Sequence, residues 1–131
     1  MDPKLEKYRD SFIKEMNDRL EVLKEFIPKL KGRPANMKFV IGEIYRACHS
    51  IKGTAAFMGC ADIAGQIRPL EKYLYQIRAS VTEGKGISEA IAGVELFPDR
   101  DDRGKIVGNL RELADLLSQS AVDLEKLVKK I

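Results

Sequence analysis

No uninterrupted apolar run in this 131-residue chain approaches the roughly 18 residues that a membrane-spanning helix requires. The N-terminal residues, Met1 to Leu5, also lack the hydrophobic core of a signal peptide. These two absences argue against a membrane protein and against a secreted one. We therefore expect a cytoplasmic protein without a membrane partner.

The chain has few cysteines and little net charge. Cys48 and Cys60 both lie in helical sequence, so a disulfide framework is not expected. The net charge is +3, and the 23 Lys and Arg residues are interleaved with 20 Asp and Glu residues. Without a basic face carrying aromatic residues, nucleic-acid binding is not predicted.

The sequence also lacks the elements that bind a nucleotide. There is no Gly-x-x-x-x-Gly-Lys-Ser/Thr loop and no cluster of carboxylates for magnesium. We therefore expect that this chain binds no cofactor and does not catalyse a reaction on its own.

Apolar residues recur at alternating spacings of three and four, which is typical of amphipathic helices. The first predicted helix begins at the cap Asp2 and ends around Pro28 to Gly32. Its repeated positions are Ile13, Met16, Leu20, Leu23, Ile27 and Leu30. Asn36 is predicted to cap a second helix that Gly59 ends, and Asp62 to cap a third.

Later in the chain, Ser88 is predicted to cap a short helix reaching about Gly93, and residues 97–104 form a polar connection. A last helix is predicted from Lys105 to the chain end. No strand pattern competes, so we predict an all-α fold in a single domain covering residues 1–131. Its architecture is an antiparallel four-helix bundle with an additional short helix and a long C-terminal helix. The ending within a helical repeat favours a fragment of a longer protein.

The only histidine of the chain, His49, lies on the second predicted helix. At about 100° per residue, the apolar residues of this helix cluster on the side opposite His49, which predicts an exposed imidazole. Gly42, Gly53 and Ala56 lie along the same exposed stripe, and Lys52 is one turn away. Lys52 can offer a positive charge to an anion carried by the imidazole. The pattern indicates a site that a partner approaches, although a lone exposed histidine is also common on protein surfaces.

Gly53 and Glu71 each have two interpretations. A glycine in a helix interior costs about 1 kcal/mol relative to alanine, which suggests either close approach by a partner or a packing contact with a neighbouring helix. A nucleophilic imidazole needs an acceptor for its second nitrogen, and Glu71 on the third helix could supply it. Glu71 could instead pair with Arg68 or Arg78 on its own helix.

Together these residues resemble a histidine-containing phosphotransfer (HPt) domain. The motif consists of His49, Lys52 and Gly53 on one helix, Gly59 ten residues after the histidine, and Leu70-Glu71 on the next helix. The stretch from Ile44 to Gly59 is especially similar to the N-terminal phosphoacceptor domain of chemotaxis-type sensor histidine kinases.

The resemblance implies a phosphorelay signalling domain. His49 would accept a phosphoryl group from a histidine kinase catalytic domain or a receiver aspartate, and would pass it to an aspartate of a response regulator receiver domain. Lys52 would help to hold the phosphoryl group, Gly53 would give clearance, and Glu71 would orient the ring. ATP and magnesium would come from the partner domains, and the isolated domain is expected to be a monomer. The predicted partner-binding residues are Tyr45, Arg46, Gly53, Ala56 and Arg68.

The chain departs from the chemotaxis-type pattern at Arg68, where such domains often have a second histidine three residues before the glutamate. We expect Arg68 to form a salt bridge with Glu71, and the alternative is an additional donor to the phosphoryl group.

Two other functions stay open. One is a helical adaptor bundle that has lost phosphotransfer. The other is a metal site built from Cys48, His49 and Cys60, but adjacent Cys48 and His49 point about 100° apart on a helix and no fourth ligand is present.

Overall fold

The computed structural model describes residues 2–32, 35–84, 86–91 and 110–131, and at 87 and 88 it describes the backbone alone. The described elements are a 3-10 helix at Pro3–Tyr8 and the α-helices α1 (Arg9–Lys31), α2 (Met37–Phe57), α3 (Ala61–Thr82), α4 (Ile87–Ile91) and α5 (Leu110–Lys129). These ranges contain no strand. The predicted all-α fold is therefore confirmed.

The four long helices form a ring in which α1 contacts α2 and α5, and α3 contacts α2 and α5. Arg9 at the start of α1 donates hydrogen bonds to the carbonyl oxygen of Ile131, at the end of the chain. At the opposite end of α1, Lys31 pairs with Asp115 near the start of α5, with 2.8 Å between nitrogen and oxygen. These contacts make α1 and α5 antiparallel, and the short α4 packs against α3 and α5.

The core is formed by the apolar stripes of the helices. Residues such as Met16, Leu30 and Ile41 have no exposed surface, and burying each such side chain contributes about 1.5–3 kcal/mol. In α1 the buried stripe starts at Phe12 and not at Ile13, which is half-buried. Phe12 lies four residues before Met16, so it continues the same face of the helix.

The N-terminal part of the first predicted helix is not α-helical. The carboxylate of Asp2 caps it by accepting a hydrogen bond from the backbone N–H of Lys4 at 2.9 Å, as predicted. The segment Pro3–Tyr8 is a six-residue 3-10 helix, however, and the α-helix begins only at Arg9.

The connection between α2 and α3 is tight, and Gly59 makes it possible. Gly59 has φ +76°, and a Cβ there would lie 3.0 Å from the backbone nitrogen of Asp2. Cys60, not the predicted Asp62, is the cap residue of α3, and Asp62 lies in the first turn, where it accepts from the N–H of Ile63. This short turn returns the chain beside α2, so that α3 runs antiparallel to the helix that carries the histidine.

Other predicted boundaries fall partly outside the described residues. Asn36 occupies the cap position of α2, but its side chain makes no capping hydrogen bond. Ser88 lies inside α4, which begins at Ile87, so it is not the cap. The predicted continuation to Gly93, the connection 97–104 and the first part of the last helix, 105–109, lie outside the described residues. None of the described helices is long and apolar enough to cross a membrane.

Candidate functional site

The α2 helix presents His49 to solvent and buries the opposite side of its turn. The His49 side chain is 62% exposed, whereas Ala47, Cys48 and Ile51 are buried. The buried residues fix the helix against the core, so the imidazole projects from a rigid support. The predicted exposure of His49 is confirmed.

Glu71 of α3 lies directly across from this histidine. Its Oε1 is 2.6 Å from Nδ1 of His49, and its Oε2 is 2.5 Å from Nζ of Lys52. Glu71 is only 8% exposed, so its charge requires partners of this kind. The alternative pairing of Glu71 with Arg68 or Arg78 is wrong, since among the described residues the ion pairs of Glu71 are with His49 and Lys52.

The charge state of Glu71 fixes the proton on the imidazole. Burial pushes the pKa of Glu71 upward, but hydrogen bonds from His49 and Lys52, together with their charge, outweigh burial and hold this pKa below its usual 4.5. An ionised carboxylate can only accept, so Nδ1 of His49 carries the hydrogen that is donated to it. In the neutral imidazole, Nε2 then carries the free lone pair, and no described residue forms a hydrogen bond with it.

Two matched stripes of side chains form the contact between α2 and α3 here. On α2 the stripe consists of residues 45, 49 and 52, and on α3 it consists of residues 71, 75 and 78, both at the i, i+4, i+7 spacing of one helix face. Tyr45 stacks on His49 with ring centres 6.0 Å apart and planes inclined by 29°. Tyr45 also contacts Tyr75, with ring centres 6.0 Å apart, and Arg78, whose guanidinium carbon lies 5.5 Å from the ring centre. The predicted partner-binding residue Tyr45 is thus half-buried among these side chains.

The C-terminal half of α2, beyond His49, offers an open surface. A Cβ added at Gly53 would meet nothing within 4 Å, so the interpretation of Gly53 as a packing contact is wrong. Ala56 is exposed, and next to it Phe57 is 70% exposed. Sequence reasoning missed Phe57, although eight residues at 100° place it only about 80° around the helix from His49. Gly53, Ala56 and Phe57 are called the α2 open face below.

The other end of the predicted exposed stripe is covered. Gly42 is buried, because the guanidinium groups of Arg46 and Arg78 lie 3.9 Å from the position of a Cβ on Gly42. The prediction that Gly42 is exposed is therefore wrong, since long side chains from both helices lie over it. Arg46 itself is exposed and pairs with Glu43 at 2.5 Å.

The predicted salt bridge between Arg68 and Glu71 is absent among the ion pairs of the described residues. Arg68 is exposed, and it borders a shallow groove beside the site. This groove is lined by Tyr45, Lys52, Arg68, Glu71, Lys72 and Tyr75. Because the carboxylate is bound by His49 and Lys52, Arg68 is left to add positive charge to the rim of the groove.

The cysteines do not join the histidine. Cys48 and Cys60 are buried free thiols, and burial, with the charge of Glu71 adding to it, raises the pKa of the Cys48 thiol to about 12. No group of three or more His, Cys, Asp or Glu side chains in the described part of the chain could hold a metal ion.

Comparison with known proteins agrees with this geometry. The chain is 35% identical over 74 residues to the chemotaxis protein CheA of Bacillus subtilis, a match that covers 56% of this chain and 11% of the relative. It is 33% identical over 69 residues to the chemotaxis protein CheA of Listeria monocytogenes, covering 53% of this chain and 11% of the relative. No solved structure gives a significant match. The family model described as Hpt domain matches residues 7–121, which is most of the chain, and the chain therefore belongs to the Hpt domain family.

Proposed function

We propose that His49 is the phosphoacceptor of this phosphorelay signalling domain. It accepts a phosphoryl group from the catalytic domain of a histidine kinase or from a receiver aspartate, and it donates the group to an aspartate of a response regulator. One observation carries the proposal: the Nδ1–H of an exposed imidazole is bound by a buried, ionised carboxylate, 2.6 Å away. This arrangement leaves the lone pair of Nε2 available to an incoming phosphorus atom.

The transfer requires a simple exchange of bonds. The lone pair of Nε2 forms the bond to phosphorus, while the bond from phosphorus to the leaving oxygen of ATP or of an acyl phosphate breaks, and its electron pair stays on that oxygen. The Nδ1 proton remains on the ring, and the positive charge that develops there faces Glu71. The reverse exchange passes the group to the response regulator.

Lys52 supports this exchange in two ways. Its ammonium group holds one oxygen of Glu71 and thereby helps to fix the acceptor of the histidine hydrogen bond. An ammonium group has three donors, so those not used by Glu71 can bind an oxygen of the phosphoryl group. The Lys52 side chain is 31% exposed, which is compatible with both contacts.

Partner domains would supply the remaining parts of the reaction, namely ATP and magnesium. Phosphoryl transfer depends on positioning and charge neutralisation, and this domain would contribute the positioned imidazole.

The partner would dock over His49 and the α2 open face. A typical interface covers about 800 Å² on each partner, which is a disc of roughly 16 Å radius. Phe57 lies eight residues beyond His49, about 12 Å along the helix, and therefore falls within such a footprint. Gly53 and Ala56 allow close approach, and Arg68 presents positive charge to an acidic partner. Arg46 is exposed as well and would lie at the edge of the interface, with its guanidinium paired to Glu43.

Hpt family membership implies a kinase and a response regulator as partners in two-component signalling. That residues 1–131 form one monomeric domain in the cytoplasm remains a prediction. The adaptor function is not favoured, because the site retains the imidazole, its carboxylate and the open approach surface together.

The proposal is tested by transfer of labelled phosphate from candidate histidine kinases and phosphorylated receivers, comparing the wild type with His49→Gln. We expect label on the wild type alone, which is then chased onto a receiver. Label that persists in the variant would reject His49 as the acceptor. Absence of label from every donor, in a folded wild-type sample, would favour the adaptor function.

A further inference from the structure

An aromatic ring of its own helix stacks on the His49 imidazole. Tyr45 lies one turn before His49, with ring centres 6.0 Å apart and planes inclined by 29°. These values are those of an offset aromatic pair. The contact adds to the hydrogen bond that Nδ1–H of His49 donates to Glu71, which lies at the edge of the imidazole and not at its face.

The hydrogen bond with Glu71 anchors Nδ1 but leaves the imidazole some freedom to tilt. Hydrogen bonds tolerate a range of lengths and angles, so the two side-chain torsions that orient the ring can still vary around this contact. For a side chain that is 62% exposed, solvent supplies no further restraint. A contact with the face of the ring narrows this remaining freedom.

Tyr45 is itself held by α3. Arg78 lies over its ring at 5.5 Å from the ring centre, and Tyr75 contacts it at 6.0 Å with planes inclined by 50°. Both residues share a face of α3 with Glu71. The same helix therefore restrains the imidazole at its edge directly and at its face through Tyr45.

We propose that Tyr45 is a positioning residue for phosphoryl transfer. Its ring, held by Tyr75 and Arg78, keeps the imidazole of His49 in the single orientation that directs Nε2 toward the incoming phosphorus atom. This inference rests on the proposed function of His49. The sequence prediction that Tyr45 binds the partner is the alternative that the test distinguishes.

The test uses phosphoramidate, a small donor that needs no docking surface. In this reaction Nε2 bonds to phosphorus, the phosphorus–nitrogen bond of the donor breaks, and ammonia leaves with the electron pair. The labelling rate is measured for the wild type, Tyr45→Phe, Tyr45→Leu and the matched control Tyr8→Leu, which changes an exposed tyrosine that is 48% exposed. Loss of the stacking ring should slow labelling about three- to tenfold, whereas Tyr45→Phe and Tyr8→Leu should stay within about twofold of the wild type.

A second readout follows the ring itself. His49 is the only histidine, so its imidazole signals in NMR spectra are assigned without ambiguity. We expect coupling constants of a single side-chain rotamer in the wild type and averaged values in Tyr45→Leu. If Tyr45→Leu does not fold, Tyr75→Leu replaces it, since Tyr75 is 58% exposed and its loss should leave the core intact.

The outcomes separate this inference from the proposed function. A wild type that takes no label from phosphoramidate or from any partner contradicts the role of His49. A labelled wild type whose Tyr45→Leu variant, or the Tyr75→Leu replacement, reacts at the wild-type rate contradicts the positioning role alone. A variant that is slow only with protein partners makes Tyr45 a docking contact and also overturns the inference.

Discussion

Glu71 accepts a hydrogen bond from Nδ1 of His49, with 2.6 Å between the two atoms. Glu71 is only 8% exposed, whereas the His49 side chain is 62% exposed. The contact therefore joins a carboxylate fixed in the core to a ring that projects into solvent. Since the carboxylate cannot move without disturbing the core, the imidazole is oriented before a partner arrives. Such prior orientation is what a displacement at phosphorus requires.

Replacing Glu71 with glutamine tests the carboxylate. The amide keeps the shape but loses the charge that favours a protonated Nδ1. A hydrogen bond to a charged group contributes about 1.5–3 kcal/mol, so we expect the rate of phosphoryl transfer to fall by roughly 10- to 100-fold. Single-turnover labelling of Glu71→Gln measures the change. A rate within about twofold of the wild type would contradict the role assigned to Glu71.

The depressed pKa of Glu71 also predicts how stability depends on pH. The native pKa lies below the unfolded one, so the stabilisation by ionised Glu71 is complete above about pH 4.5 and is lost as the pH falls through the native pKa. The difference in unfolding free energy between the wild type and Glu71→Gln, which cannot titrate, should therefore shrink from pH 7 to pH 3. Urea unfolding at the two pH values measures it. An unchanged difference would mean that Glu71 is not held in its ionised form.

Replacing Gly53 with alanine should separate stability from transfer. A Cβ at Gly53 meets nothing within 4 Å, so alanine should raise the unfolding free energy by about 1 kcal/mol. It should nevertheless slow transfer with protein partners, because it fills space on the docking side of His49. The control is labelling of Gly53→Ala by phosphoramidate, which needs no docking surface and should proceed at the wild-type rate. A transfer rate from protein partners equal to that of the wild type would contradict a role of Gly53 in clearance.

Phe57 should contribute to partner docking. Phe57→Ser removes a side chain that is 70% exposed. The matched control is Val122→Ser, which removes a side chain that is 45% exposed. Val122 lies on α5, a helix that packs against α1 and α3. Loss of a large apolar contact should raise the KM for transfer to a response regulator by about fivefold or more. Val122→Ser should leave KM unchanged, and both variants should react with phosphoramidate at the wild-type rate. Equal KM values for the two variants would exclude Phe57 from the interface.

The buried cysteines should be dispensable. With the pKa of Cys48 raised to about 12, its thiol should resist iodoacetamide at pH 8 in the native protein. Replacing Cys48 and Cys60 together with alanine should preserve labelling by phosphoramidate, with and without EDTA. Loss of labelling in the double variant would support a metal site at Cys48, His49 and Cys60. A melting temperature that EDTA lowers in the wild type but not in the double variant would support it as well.

The features that sequence predicted well depend on helix periodicity. The exposure of His49 and the core stripe of α1, apart from its first position, follow from 3.6 residues per turn, a period that tertiary contacts do not change. The tight turn at Gly59 was also predictable, because a left-handed conformation favours glycine. These features are local, so a single sequence contains them.

The features that sequence did not predict depend on the register between helices. Whether Glu71 binds His49 or Arg68 depends on the position of α3 along the axis of α2. That position is set by tertiary packing. Gly42 is buried by long side chains whose directions periodicity does not give. The stacking of Tyr45 on His49 could be guessed from their spacing of four residues, but not the support from Arg78.

The central claim is tested most directly by locating the phosphoryl group on the imidazole. The phosphorylated protein is studied by ³¹P and ¹⁵N NMR, with His49→Gln as the control. Because Nδ1 is bound to Glu71, the account predicts one phosphorus–nitrogen species, bonded to Nε2 of His49 and absent from the variant. A phosphoryl group on Nδ1, or on any other residue, would contradict it.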